Sequence, residues 1–178
     1  MPDPIDNHSF SLTLRTARAE DVKQVRAILA AAAADLSARF GEGHWSGVRS
    51  TDALQKYLAE GDLYIAEIDA VAVGTLRLTR RKIGFYRSDW FANPKDAAGY
   101  LLDMAIDPAR QRCGVGRRSL ALAEDLARSR GLMAIRLDAY GGSAGAGEFY
   151  RKCGYRLAHV GTFNGVALEY FEKRVEPR

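Results

Sequence analysis

The 178-residue sequence has little of several features that define special classes of protein. Its two cysteines, Cys113 and Cys153, are too few for a disulfide framework or a zinc site. The longest uncharged apolar stretch, Ile28 to Ala34, is far shorter than the roughly 20 residues of a membrane span. No basic segment followed by an apolar run opens the chain, so no secretory signal is visible. We therefore expect a cytoplasmic protein that needs neither a metal ion nor a membrane.

The composition is that of an ordinary globular domain, with 47% hydrophobic and 27% charged residues. The length suits one domain, predicted over residues 11–175 after a short tail at 1–10. The net charge of +4 is mild, but four arginines and no acidic residue lie between Arg110 and Arg118. This loop is the best candidate for an anion site, and its compactness argues against an extended nucleic-acid surface.

Hydrophobic periodicity and turn residues predict the element order βααβββαβαββ, which is an α/β chain with a mixed sheet. The strands near residues 100 and 133 are joined by a helix and should be parallel neighbours, with function at their carboxyl ends. Helix 115–130 should turn Ser119, Leu122, Ala123 and Leu126 inward. The predicted strands are 10–16, 63–68, 71–78, 100–106, 133–138, 155–160 and 166–171; the helices are 22–41, 50–59, 115–130 and 148–152; residues 80–99 form an irregular excursion.

The segment QRCGVGRR lies between a predicted strand and a predicted helix. Unpaired N–H groups at a helix start, flanked by arginines, suit a phosphate or pyrophosphate. A P-loop is disfavoured because no GK[ST] follows, and a dinucleotide fingerprint is weak because Ser119 stands at its third glycine. Gly141 to Gly145 also matches the G-x-S-x-G of serine hydrolases, but only 35 residues follow Ser143, with His159 as their one possible base.

These residues carry a family resemblance. The run LLDMAIDPARQRCGVGRRSLALAEDLARSRG, followed by IRLDAY and FYRKCGY, resembles the GCN5-related N-acetyltransferase (GNAT) superfamily. The resemblance covers about residues 12–173 and implies a GNAT fold whose central parallel strands splay to admit the pantetheine arm of acetyl-CoA. It implies transfer of an acetyl group to a primary amine by direct attack in a ternary complex. A non-catalytic acyl-CoA-binding module is the alternative.

The same resemblance assigns residues to the cofactor. Strand residues Met104, Ala105 and Ile106 would pair with pantetheine, and an N–H there, that of Met104, would polarise the thioester carbonyl. Ser143 stands where many members have asparagine, and Ala146 keeps a small residue. The loop amides that would bind the pyrophosphate are those of Cys113, Gly114, Val115, Gly116, Arg117 and Arg118, and Gln111 and Arg112 of the same loop would also contact the cofactor.

Tyr150 aligns with the family tyrosine that protonates the departing thiolate, a role that suits a phenol with a pKa near 10. The amine must lose a proton before attack, and either Asp103 or Asp138 is a candidate base. Asp138 matches a catalytic glutamate of one N-terminal acetyltransferase in the superfamily, and Tyr100 is a weaker third candidate.

The acceptor would be a small-molecule or peptide amine bound by a monomer or homodimer, with the loop before residue 50 and the excursion 80–99 forming its wall. Aromatic residues there can either form an acceptor pocket or pack beneath a long loop, and the sequence leaves both readings open. They are His44, Trp45, Tyr86, Trp90 and Phe91.

Overall fold

The computed structural model describes residues 11–175, and the predicted tail at 1–10 lies outside the described residues. The predicted order of helices and strands is confirmed, with differences of a few residues at their ends. The strands are β1 (Leu12–Thr16), β2 (Leu63–Ile68), β3 (Val71–Thr79), β4 (Ala98–Ile106), β5 (Ala134–Tyr140), β6 (Arg156–Phe163) and β7 (Val166–Arg174); the α-helices are α1 (Val22–Phe40), α2 (Thr51–Ala59), α3 (Val115–Ser129) and α4 (Gly147–Lys152).

Seven strands form one sheet in the order β1-β2-β3-β4-β5-β7-β6. The pair β4–β5 is parallel and the other neighbouring pairs are antiparallel, which confirms the mixed sheet and its central parallel pair. β7 lies between β5 and β6, so the final hairpin extends the sheet beyond β5. The carboxyl ends of β4 and β5 therefore lie in the middle of the sheet.

Local signals explain why these elements end where they do. The Ser50 side chain caps α2 by accepting a hydrogen bond from the Ala53 N–H, at 3.2 Å. Asp69 and Ala70, with φ of 50° and 63°, form the tight turn between β2 and β3. Asn164-Gly165 forms the matching turn between β6 and β7, as its sequence predicts.

The helices cover both faces of the sheet. Along β2, Leu63 and Ile65 pack against α1 and α2, whereas Tyr64 joins a cluster that contains residues of α3 and α4. Alternate strand residues point to opposite faces, so the α1–α2 pair and the α3–α4 pair lie on opposite sides. Within residues 11–175, no helix combines the length and the apolar character needed to cross a bilayer.

The predicted inward face of α3 is partly wrong. Ser119 and Ala123 are buried as expected, and the half-buried Leu126 packs against the core, but Leu122 is only half-buried and does not join that cluster. Glu124 is buried instead, because Lys173 Nζ on β7 lies 2.8 Å from both of its carboxylate oxygens. Hydrophobic periodicity cannot show such a pair, since its two residues are far apart in the chain. The buried residues of α3 are Val115, Ser119, Leu120, Ala123, Glu124 and Ala127.

The excursion after β3 is irregular as predicted, with a short 3-10 helix at Ser88–Trp90, although Ala98 and Gly99 already belong to β4. A buried ion pair fastens it to the sheet. Arg136 Nε donates to Glu172 at 2.9 Å, while Nη2 of the same arginine donates to the Asn93 carbonyl at 2.7 Å. Glu172 also accepts from the Ala92 N–H. These bonds hold the excursion against the sheet, and Tyr86 extends from the excursion toward β5.

Candidate active site

The two parallel strands separate toward their carboxyl ends. β4 pairs with β5 only at Ala98–Tyr100, and among the described residues Leu101–Ile106 has no register partner on β5. A bulge in β4 accompanies this opening, because its pairing with β3 shifts register on either side of Asp103, whose φ is +49°. Bulges bend the strand that contains them. We call the resulting opening the β4–β5 cleft.

A helix start lies just beyond the end of β4. α3 begins after Gly114, whose φ of +81° is in the left-handed region, and no side chain caps the helix. The first N–H groups of α3 therefore have no intrahelical partner, and the exposed side chains of Arg112 and Arg117 lie beside them. The Gln111 side chain braces the loop by donating to the Ile106 carbonyl at 3.0 Å. This arrangement has the donors that a phosphate group requires.

The two glycines of the loop differ in what they require. Gly114 needs the conformational freedom of glycine because of its positive φ. At Gly116 a Cβ would make ordinary contacts, 3.5 Å from the Phe149 ring and 3.7 Å from Ile106. Protein packing alone therefore does not demand a glycine at Gly116.

A cavity of about 390 Å³ fills the β4–β5 cleft. Asp103 and Met104 of β4 line it, as do Asp138 and Tyr140 of β5 and Tyr150 of α4. The structure thus brings the predicted general acid, Tyr150, and both candidate bases, Asp103 and Asp138, to one cavity.

Asp138 lines the cleft from β5, and its carboxylate accepts a hydrogen bond from the buried Tyr86 hydroxyl. Burial raises the pKa of Asp138 above its ordinary value, and the Tyr86 bond opposes part of that rise. Burial also raises the pKa of Tyr150, with a further contribution from the Asp138 charge. Tyr150 therefore keeps its proton at neutral pH, while Asp138 becomes a stronger base than an exposed aspartate.

Asp103 has different partners. Arg49 Nε donates to its Oδ1 at 2.8 Å, and Arg77 Nε lies 3.7 Å from its Oδ2. Arg77 stacks on the Tyr57 ring, with its guanidinium carbon 3.9 Å from the ring centroid. Asp103 therefore belongs to an ion-pair cluster that joins the loop before α2 to β3 and β4.

A second cavity of about 500 Å³ adjoins the cleft on the side of α1 and α2, and we call it the α1–α2 cavity. The predicted acceptor residues His44 and Trp45 line it. Trp45 packs edge-on against Tyr140, with 5.7 Å between ring centroids. The residues common to both cavities are Leu36, Arg49, Asp103, Met104 and Tyr140.

The predicted aromatic pocket is only partly assembled. Trp90 lines neither cavity; it stacks on His159 at 4.0 Å between ring centroids. Phe91 is buried against Arg136, and Tyr86 is buried with only its hydroxyl directed at Asp138. The burial of Phe91 and the stacking of the half-buried Trp90 on His159 favour the reading as packing aromatics for these two residues.

The loop before α4 shows no hydrolase site. Ser143 is exposed, and its candidate base His159 is engaged with the Trp90 ring. No hydrogen bond within residues 11–175 joins Ser143 to His159. The neighbouring Ala144 and Ala146 line the β4–β5 cleft, whereas Ser143 does not.

Comparison with known proteins decides the family. The family model described as "Acetyltransferase (GNAT) family" matches residues 30–155. The chain belongs to the GNAT family. Comparison with curated proteins gives no match.

Solved GNAT-family structures share the fold. One from Streptococcus agalactiae is similar with a TM-score of 0.77 and 15% identity, over 94% of this chain and 98% of that one. One from Listeria monocytogenes gives 0.74 and 18%, over 94% and 96%. The PaiA N-acetyltransferase of Thermoplasma acidophilum, in complex with coenzyme A, gives 0.70 and 17%, over 92% and 99%. The GNAT family and its coenzyme A complexes support a CoA-type cofactor and acyl transfer in general.

Several residues of the GNAT cleft were missed by the sequence analysis, namely Arg49, Arg77, Phe85 and Tyr140. Arg77 carried a usable signal, since it is a charge within the otherwise apolar strand VAVGTLRLT. Tyr140 lies two residues after Asp138 and therefore on the same face of β5. Arg49 and Phe85 lie in irregular segments, where periodicity gives no indication of direction.

Proposed function

We propose that the protein is an acetyl-CoA-dependent N-acetyltransferase that transfers an acetyl group to a primary amine by direct attack in a ternary complex. One observation carries the proposal: Tyr150 and Asp138 line the cleft that opens where β4 leaves β5. An uncapped helix start stands at the end of β4, where a long phosphorylated cofactor in that cleft would place its phosphates.

The donor set of the chain fits such a cofactor. The N–H groups from Cys113 to Arg118 and their flanking arginines would hold the pyrophosphate. On the side that faces β5, the edge of β4 at Met104–Ile106 has no register partner among the described residues and would pair with the pantetheine arm. Ala146, which lines the cleft, would border the arm from the loop before α4, and Ser143 of the same loop would contact the cofactor outside the cleft. When bound, acetyl-CoA would supply an activated acetyl group and a thiol leaving group.

The residues of the cleft have complementary roles in the proposed reaction. The Met104 N–H would donate to the carbonyl oxygen as charge develops on it. Asp138 would take the proton of the attacking amine, and Tyr150 would give its proton to sulfur. Asp138 suits the base role better than Asp103, because Asp103 is paired with the charged guanidinium of Arg49, whereas the hydrogen bond to Asp138 comes from an uncharged tyrosine. No residue of this proposed mechanism requires a metal ion.

The experiment compares Tyr150→Phe with Tyr155→Phe in an assay of thiol release from acetyl-CoA with a broad amine panel. Tyr155 is a matched control because it is also buried and adjoins the Tyr150 ring, at 5.8 Å, but does not line the cleft. Loss of a general acid predicts a kcat lower by about 100-fold or more in Tyr150→Phe. Stabilisation by CoA, measured by thermal shift, should persist in both variants.

The other outcomes separate the alternatives. Stabilisation by CoA without turnover of any amine would favour a non-catalytic acyl-CoA-binding module. Equal turnover in the two tyrosine variants would remove Tyr150 from its role as acid. Absence of any CoA stabilisation in the unmodified protein would refute the cofactor assignment itself.

A further inference from the structure

The wall between the two cavities carries an ion cluster that the proposed chemistry does not use. Arg49 enters from the loop before α2, Arg77 from β3 and Asp103 from the bulge of β4. Arg49 and Asp103 line both cavities, and Arg77 lines the β4–β5 cleft. Three separate elements therefore place charged groups at the point where an acceptor would lie.

The cluster has more positive than negative charge, since two guanidinium groups face one carboxylate. Arg49 uses Nε and Nη2 on the same Asp103 oxygen, each at 2.8 Å. Arg77 Nε and Asp103 Oδ2 are buried 3.7 Å apart, and neither has a hydrogen-bond partner among the described residues. That distance is too long for a hydrogen bond. Asp103 thus leaves most of the ten N–H donors of the two arginines available.

The position of this charge is informative, because the Arg77 side chain is only 13% exposed. A partly buried guanidinium without a full complement of acceptors is unfavourable until an anion reaches it. The planar N–H groups of arginine match a carboxylate in particular, since two parallel hydrogen bonds can form. The cluster is therefore suited to a carboxylate on the acceptor.

The same cleft also contains groups that suit an amine, close to the arginines that suit a carboxylate. Asp138 and Tyr150 line it, and the proposed mechanism brings the acceptor amine to them. Ile83, Phe85 and Leu102 supply apolar surface to the same cavity. An acceptor that fits has an amine, a carboxylate close to it and an apolar remainder.

We propose that the acceptor is a free amino acid whose carboxylate binds Arg49 and Arg77 while its amine faces Asp138. The inference rests on the proposed N-acetyltransferase function and names the substrate class of that site. A polyamine would bring a second cation against the arginines, and a peptide N-terminus would place an uncharged amide there. Both would leave the second positive charge of the cluster, which Asp103 does not balance, without a counter-charge.

The reaction balances with this acceptor. The ammonium first releases one proton to solvent. As the acetyl carbon exchanges its bond to sulfur for a bond to nitrogen, Asp138 takes the second proton from nitrogen and Tyr150 protonates sulfur. Return of the proton from Asp138 to Tyr150 through solvent restores both residues. The products are the N-acetylamino acid, the free thiol of CoA and one proton.

The test uses matched acceptors in the holoprotein with saturating acetyl-CoA. Each of the twenty amino acids is compared with its primary amide and with the amine that lacks the carboxyl group. The kcat/KM of the best amino acid should exceed that of its amide by about 10- to 100-fold, as expected for loss of charge-assisted hydrogen bonds. The amide has the more readily deprotonated amine, so a preference for the acid does not arise from amine basicity.

Variants locate the preference. Arg49→Gln and Arg77→Gln should each lower the acid-to-amide ratio by about tenfold, and Arg77→Lys should retain part of it. Arg39→Gln is the matched control, because Arg39 is paired with Asp35 on α1 and lines neither cavity. A ratio within one protein sample does not depend on how much of it is folded, so a partly unstable variant still gives a result.

The outcomes distinguish this inference from the function on which it rests. Turnover of amides or simple amines at the rate of the acids, or a ratio unchanged by the arginine variants, would overturn the inference and leave the N-acetyltransferase intact. CoA stabilisation with no turnover of any acceptor would also overturn it and favour the binding module. Absence of CoA stabilisation would refute the proposed function, and the inference with it.

Discussion

Replacing Tyr86 with phenylalanine removes a single oxygen atom, and that oxygen is the hydrogen-bond donor to the Asp138 carboxylate. The Tyr86 residue is only 1% exposed and packs edge-on against Tyr100 and Tyr170, at centroid distances of 5.6 and 5.3 Å. A phenylalanine ring retains those contacts. The variant therefore isolates the hydrogen bond from the packing.

The magnitude follows from the two opposing effects on Asp138. Burial raises its pKa and the Tyr86 bond lowers it, so losing the bond raises the pKa further. A hydrogen bond to a charged group contributes about 1.5–3 kcal/mol, and each pKa unit corresponds to about 1.4 kcal/mol. We therefore expect the acidic limb of the kcat/KM profile to move upward by about one to two pH units.

Stability should follow the same linkage. Because the folded-state pKa of Asp138 lies above its ordinary value, the folded protein holds this proton more tightly than the unfolded chain. Its contribution to stability is therefore full below the ordinary aspartate pKa and is lost as the pH rises through the folded-state value. Tyr86→Phe raises the folded-state pKa of Asp138 further above its value in the unfolded chain. The variant should therefore lose about 1.5–3 kcal/mol of stability at neutral pH and less in acid.

The assay is a pH series of kcat/KM together with urea unfolding at acid and neutral pH, with Tyr155→Phe as the control for loss of a buried hydroxyl. In Tyr86→Phe the acidic limb of kcat/KM should shift to higher pH, and the free energy of unfolding at neutral pH should fall. A profile that keeps its acidic limb while overall activity falls would mean that Asp138 is not the titrating base. An acid-limb shift toward lower pH would refute the reasoning about the hydrogen bond.

Two further predictions concern the framework of the site. Glu172→Gln leaves the Arg136 guanidinium without its buried counter-charge, and the Arg136 side chain is only 2% exposed. Urea unfolding should therefore show a loss of about 3 kcal/mol of stability. An unchanged free energy of unfolding would contradict the role of this pair. Gly114→Ala forces an alanine to the left-handed φ of +81°, which costs about 1–2 kcal/mol. Calorimetry should also show weaker CoA binding, whereas Gly165→Ala, also at positive φ but far from the loop, should destabilise the protein without that loss.

Much of the fold could be predicted because its signals are local. Asp69-Ala70 and Asn164-Gly165 mark two hairpin turns, and Gly41 ends α1 after a helical run of apolar residues. The loop Gln111–Arg118 before α3 was also predictable, because glycines and arginines stand together in one segment. Signals of this kind depend only on residues that are neighbours in the sequence, so they can be recognised without knowledge of contacts elsewhere in the chain.

The parts that were missed depend on contacts between distant segments. The inward position of Glu124 depends on Lys173, and the role of Tyr86 depends on Asp138. Arg49 reaches the cleft because it pairs with Asp103, which is 54 residues away. The periodicity of hydrophobic residues along a single helix or strand gives no indication of such a distant partner. The proposed acceptor side of the cleft depends largely on contacts of this kind.

The bulge in β4 bears on the choice between the two aspartates. A left-handed backbone is strained for most side chains but is tolerated by aspartate, so conformation and the Arg49 ion pair together explain Asp103. Asp138 has no such explanation. It lies in a regular strand and lines the cleft, and within residues 11–175 its hydrogen bond comes from an uncharged tyrosine. A buried acid held without a bonded cation lowers stability at neutral pH, which supports a chemical reason for its presence beside Tyr150.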